Sequence, residues 1–149
     1  MAALRVLACW LRPVAATLVV LLLAPLAASA ADAFNVRLSP VPIEASMAAK
    51  TKGSGSATAS LDGMTLTVNG SFAGLQGAAT VARLHEGAAT GVRGPAVAEV
   101  TVPQAASGSF TAKLTLTASQ AESVRQGRAY LQIHSAAAPD GNLWGWLLP

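Results

Sequence analysis

The chain has 149 residues, a formal net charge of +3 and one cysteine, Cys9. No basic run of five or more occurs, so neither nucleic acid nor an anionic membrane surface is implied as a partner. A single cysteine excludes a disulfide framework within the chain, so the fold must rest on its core.

Residues 1–30 read as a signal peptide. Arg5 and Arg12 form a positive start, Val14 to Leu26 is an uncharged apolar run, and Ala28, Ser29 and Ala30 supply small residues for cleavage. The run falls short of the roughly 20 residues that span a bilayer as a helix, and Pro13 and Pro25 frame it with helix breakers. No stable membrane span is therefore expected after cleavage, and the mature protein is expected to be periplasmic or secreted. Losing Arg5 and Arg12 lowers the formal charge from +3 to +1, and Cys9 leaves with them. The mean hydropathy of +0.47 is inflated by the same segment. Residues 31–149 remain as one domain.

From Phe34 onward the pattern has period two, with turn signals every eight to twelve residues, as in a β-sandwich or barrel. Phe34 to Leu38 is a first strand, broken at Ser39, Pro40 and Pro42; Ile43 to Lys52 carries no clear pattern. Ser54 to Leu61 and Met64 to Phe72 flank Asp62-Gly63, a two-residue hairpin signal. Met64, Leu66 and Val68 should share one face, with Gly70 marking a bulge or a close backbone approach. Thr80 to Glu86 and Ala96 to Val102 are strands separated by a loop with Gly87, Gly91, Gly94 and Pro95. In Ser109 to Leu116, residues Phe110, Ala112, Leu114 and Leu116 share a face. The period then changes. Thr117 and Gln120 match a capping box, so Ala118 to Gln126 should form a short helix ended by Gly127. Ala129 to Ser135 and Leu143 to Leu148 are the last strands, joined by a loop with Pro139, Asp140 and Gly141. Pro149 would guard the final strand as a sheet edge.

The chain has only two histidines, and each ends an alternating run that stops at a glycine-containing turn. Strand parity puts Arg83 and His85 on one face, opposite Ala82 and Leu84; it puts Tyr130, Gln132 and His134 on another, opposite Leu131 and Ile133. Were the two strands neighbours, His85, His134, Arg83 and Tyr130 would converge on one polar patch that binds a ligand. Two readings stand side by side. In one, each histidine bonds turn backbone and pins its loop to the sheet. In the other, His85 and His134 hold zinc or copper, although a zinc site wants three or four protein ligands and Glu86 or Asp140 would have to complete it. The adjacent Arg83 disfavours a cation.

Trp144 and Trp146 share a face of the last strand with Leu148. Core packing is one reading; an exposed aromatic surface for a protein or glycan partner is the other. No serine sits in a nucleophile elbow, the carboxylates are scattered, and the glycines near Gly91 lead into a strand. No catalytic residues and no cofactor are therefore assigned.

Residues 80–97 and 110–148 resemble the CHRD domain, the module named from chordin and also found in bacterial exported proteins. The resemblance runs through Arg83, Leu84 and His85, then Gly87, Gly91, Gly94, Pro95, Ala96 and Val97. It resumes with the helix at Ala118 to Gln126, Gly127, Tyr130 to His134, Pro139, Gly141 and Leu143 to Gly145. The sequence departs from that family at Arg83, where a histidine is common, and at Trp144 and Trp146, where polar residues are usual. Copper–zinc superoxide dismutases also place histidines on a β-sandwich, but they need six. The resemblance implies an all-β, immunoglobulin-like Greek-key sandwich with one short helix. It also implies a non-catalytic, bacterial, extracytoplasmic binding or structural module.

Overall fold

The computed structural model describes residues 30–149. The apolar run expected to be a signal peptide lies outside the described residues. Among the described residues the fold is all-β with one α-helix. In chain order the elements are β1 (Asp32–Pro40), a 3-10 turn (Ala45–Met47), β2 (Ser54–Asp62), β3 (Thr65–Ala73), β4 (Ala79–Glu86) and β5 (Ala96–Val100). Then follow β6 (Gly108–Thr115), α1 (Ala118–Arg125), β7 (Ala129–Ser135) and β8 (Leu143–Trp146).

All strand pairs are antiparallel, and the eight strands join in one sheet of order β5-β4-β7-β8-β1-β2-β3-β6. Its two edge strands, β5 and β6, approach each other, so the sheet is nearly closed and barrel-like. The first and last strands meet in the middle. Ser39 and Pro40 of β1 pair with Trp144 and Leu143 of β8, and an isolated bridge joins Asn35 to Leu148. β8 is thus an interior strand, which corrects the expectation that Pro149 guards an edge.

Alternation fixes the core. Phe34, Val36 and Leu38 of β1, Ala57, Ala59 and Leu61 of β2, and Leu66 and Val68 of β3 all point inward and are buried. From the other half of the sheet Ala82, Leu84, Leu131, Ile133 and Leu143 meet them. Two local expectations shift. Asp62 pairs with Thr65, so the β2–β3 turn consists of Gly63 and Met64. Gly63 takes φ 58°, the positive value that a two-residue hairpin turn requires at its first central position. Met64 is therefore a turn residue with its side chain exposed and does not share the face of Leu66 and Val68. Gly70 sits in regular pairing, and it is the Phe110 ring that needs its missing side chain: a Cβ there would lie 2.5 Å from the ring.

The helix α1 forms where its cap predicts. The Thr117 hydroxyl accepts from Gln120 N–H at 3.2 Å, and the Gln120 side chain accepts from Thr117 N–H at 2.9 Å. Ala121, Ser123 and Val124 turn inward, and α1 packs against β4. Arg125 ties the helix outward, donating to Asp32 at 2.9 Å and to the Gly63 carbonyl at 3.0 Å. No helix among the described residues is long and apolar enough to cross a membrane.

Candidate functional site

Every residue of β7 is buried, although its side chains alternate between two faces. Leu131 and Ile133 enter the main core. Tyr130, Gln132 and His134 face the other way, where polar side chains would ordinarily meet water. They are covered instead by the loop from Gly87 to Pro95 and by the loop before β8. The sheet register assembles this face: His85 opposes Tyr130, Arg83 opposes Gln132, and across the next ladder Tyr130 opposes Trp146 and Gln132 opposes Trp144. The β4–β5 ladder shifts register between Leu84 and His85, the kind of local irregularity that re-aims a side chain.

The four residues expected to converge thus lie on adjacent strands and one face. The His85 and His134 ring centres are 6.4 Å apart. His85 stacks on Tyr130 at 4.8 Å, with the rings 11° from parallel. Tyr130 stacks in turn on Trp144 at 5.3 Å and 5°, and the Arg93 guanidinium covers the Trp144 ring at 4.9 Å. Trp146 packs against Tyr130 at 4.7 Å. The result is a column of four planar groups, His85, Tyr130, Trp144 and Arg93.

Both histidines bond turn backbone, as the first of the two sequence readings expects. His85 Nδ1 lies 3.0 Å from the Gly94 carbonyl and His134 Nδ1 lies 2.8 Å from the Pro139 carbonyl. Because a carbonyl oxygen only accepts, each Nδ1 carries a proton and donates. The Tyr130 hydroxyl also donates to the Gly94 carbonyl, at 3.1 Å, and Gln132 Nε2 donates to the Asp140 carbonyl at 2.8 Å. Gly94 permits this closeness: a Cβ there would lie 1.7 Å from the Glu86 carbonyl oxygen.

What remains is a set of unpaired nitrogens. His85 Nε2, His134 Nε2 and Trp144 Nε1 are buried and have no hydrogen-bond partner among the described residues. Burying such groups unpaired costs free energy on the order of 1–3 kcal/mol each, so they call for an explanation. Burial also holds both imidazoles below the usual histidine pKa. The loop carbonyls act against it, while Arg83 reinforces it at both rings and His134 and Arg93 add to it at His85. Both rings are thereby favoured as neutral groups with an Nε2 lone pair.

Arg83 does not reach into this cluster as a free cation. It donates to Glu99 at 2.9 Å, a pair at the exposed rim of the face. Glu86, one of the two acids considered as further ligands, bonds the Ser123 hydroxyl, and Arg128 donates to the same hydroxyl at 2.8 Å. That network joins β4 to the end of α1, and Arg128 Nε in it is buried without a partner. No group of three or more histidine, cysteine, aspartate or glutamate side chains among the described residues is arranged to hold a metal.

The tryptophans do not form an exposed pair. Trp144 is 7% exposed, and Tyr130 and Arg93 cover its two faces. Trp146 is half-buried, and Leu148 is exposed. A cleft of about 420 Å3 lies beside them, lined by Val41, Ile43, Gly91, Arg93, Trp144 and Trp146. Sequence reasoning passed over Arg93, because it lies in a loop where no periodicity assigns it a face. It also passed over Gln132 as a loop anchor, although parity had placed that residue beside His134.

The order of these anchored loops, strands and helix is matched by a family model. The CHRD domain model covers residues 34–147. The chain belongs to the CHRD domain family. The match takes in all eight strands from Phe34 onward, so the histidine face, its two loops and the β1–β8 seam all lie within the CHRD domain. No curated protein and no solved structure matches the chain.

Proposed function

We propose that this CHRD domain is an exported, non-catalytic binding module of a bacterium, and that its ligand meets the face formed by Arg83, His85, Tyr130 and His134. One observation carries this reading: three nitrogens of that face, two of them imidazole Nε2 atoms, are buried and unpaired. Each Nδ1 already pins its loop, so each Nε2 is free to take a second partner. A bound group would satisfy the remaining atoms: the Trp144 indole N–H donates to an acceptor, whereas the Nε2 lone pairs of the two neutral imidazoles favour a metal. Each histidine commits its Nδ1 to a loop carbonyl, and we take the pair as binding groups. Within the domain, an immunoglobulin-like Greek-key description agrees with the antiparallel order and with a first strand shared between two halves of the sheet. Export is supported by the apolar N-terminal run.

The test uses the tagged chain expressed in a bacterial host. Recovery outside the cytoplasm, with residues 1–30 removed by mass, supports export; full-length protein in the cytosol overturns it. For the site, the Trp144 and Trp146 indole N–H signals are followed by NMR against a panel of metal ions, small anions and simple sugars. Saturable movement of the Trp144 signal, absent in a His85→Asn/His134→Asn variant, supports a ligand site. A panel that moves neither signal, with unpaired nitrogens shown to be hydrated by bound water, would leave the face as structure alone.

A further inference from the structure

The spacing and chemistry of the two imidazoles narrow the ligand, on the reading that this face is a binding site. A metal–nitrogen bond of about 2 Å and a ring radius of about 1.2 Å put an imidazole centre about 3.2 Å from its ion. Two imidazoles on opposite sides of one ion then have centres about 6.4 Å apart, whereas a tetrahedral angle brings them to about 5.2 Å. The observed separation is 6.4 Å. That is the separation of two imidazoles opposed across one ion when both Nε2 atoms face it.

The donor count points the same way. Zinc takes three or four protein ligands and Cu(II) a square-planar set, and no third histidine, cysteine or carboxylate joins the pair among the described residues. A closed-shell monovalent ion such as Cu(I) is satisfied by two nitrogens in line. The rings are prepared for it: each Nδ1 donates to a loop carbonyl, which fixes the tautomer and leaves Nε2 as the ligand atom. Charge also selects for a single positive charge. Arg83 and Arg93 stand near the pair, and although Arg83 is paired with Glu99, a divalent ion would meet twice the repulsion of a monovalent one.

We propose that His85 Nε2 and His134 Nε2 form a two-coordinate site for a soft monovalent cation, Cu(I), closed over by the Gly94 and Pro139 loops. Binding is simple coordination by two neutral rings, without electron transfer or proton release. Trp144 then lies in the wall of the site, one stacked ring beyond Tyr130.

The test titrates the purified protein anaerobically with Cu(I) against a coloured Cu(I) chelator, with Ag(I) as a redox-inert probe in parallel. The variants are His85→Asn and His134→Asn, because an asparagine amide can keep the Nδ1-type bond to the loop carbonyl while removing Nε2. One equivalent of Cu(I), two nitrogen scatterers by X-ray absorption, Ag(I)-induced shifts of both Nε2 resonances, and loss of binding in either folded variant is the expected result. Folded wild-type protein that leaves Cu(I) with the chelator overturns the proposal, as does copper that both variants retain. Equal or tighter retention of Zn(II) or Cu(II) by the same two histidines overturns the two-coordinate geometry but keeps the binding face. An anion or sugar that shifts Trp144 while Cu(I) does not bind also overturns this proposal and keeps that reading. Only a face blind to every probe defeats both.

Discussion

At the scale of single residues, His85 and His134 serve two demands with two different nitrogens. Nδ1 holds a loop, and Nε2 is left buried and unpaired. Their depressed pKa values, caused first by burial, have a consequence for stability. As the pH falls, the unfolded chain takes up protons at about pH 6.5 while the folded rings still resist. Their contribution is whole above that pH and is lost as the pH falls through the lower folded-state values. In metal-free protein, urea titrations are expected to show level stability above about pH 7 and a decline from about pH 6.5 downward. The doubly substituted His85→Asn/His134→Asn protein should lose most of that decline; an unchanged slope would assign it to other groups. Gly141 is the second residue-scale determinant. It has φ 127°, and a Cβ there would lie 1.6 Å from Gln132 Nε2 and 2.9 Å from Trp144 Nε1. Gly141→Ala should therefore destabilise the domain by about 2 kcal/mol or more, with an altered Trp emission, measured by urea unfolding.

At the scale of elements, β7 and α1 show why some structure is legible in a sequence and some is not. The α1 boundaries follow from Thr117, Gln120 and Gly127, because a cap is satisfied within a few residues of itself. Replacing Thr117 by Ala should cost about 1 kcal/mol, read as a lowered midpoint in chemical denaturation; an unchanged midpoint would mean that packing on β4 carries the helix alone. The span of β7 is equally plain, since Leu131 and Ile133 alternate with Tyr130, Gln132 and His134. Its burial on both faces is not. Alternation normally signals one wet face, and this one is covered by loops whose Gly94, Pro139 and Asp140 carbonyls accept bonds from His85, Tyr130, Gln132 and His134. The same reason explains Met64: period two runs on through a turn, and only the Asp62–Thr65 pairing ends the strands.

For the whole molecule, the decisive feature is the seam between β1 and β8, which joins the two halves of the sheet. Pairing the first strand with the last makes each half depend on the completed chain. Deleting residues 143–149 should thus abolish cooperative unfolding, seen by far-ultraviolet circular dichroism, and not merely trim an edge. Leu143 is fully buried at this seam. Its replacement by Ala should lower stability by about 2–5 kcal/mol within a single transition; two separate transitions would show that the halves fold independently.

By itself the sequence determined which segments are strands, where the helix starts and stops, and which side chains share a face with each histidine. These are local properties, set by side-chain period, caps and turns. Tertiary structure alone decided that β4 and β7 are neighbours, that β8 is interior, that Arg93 closes the stack on Trp144, and that two imidazole nitrogens are left unpaired. Strand order arises from contacts between residues far apart in the chain, and loop coverage from which turn carbonyls meet the side chains of a strand; side-chain period records neither.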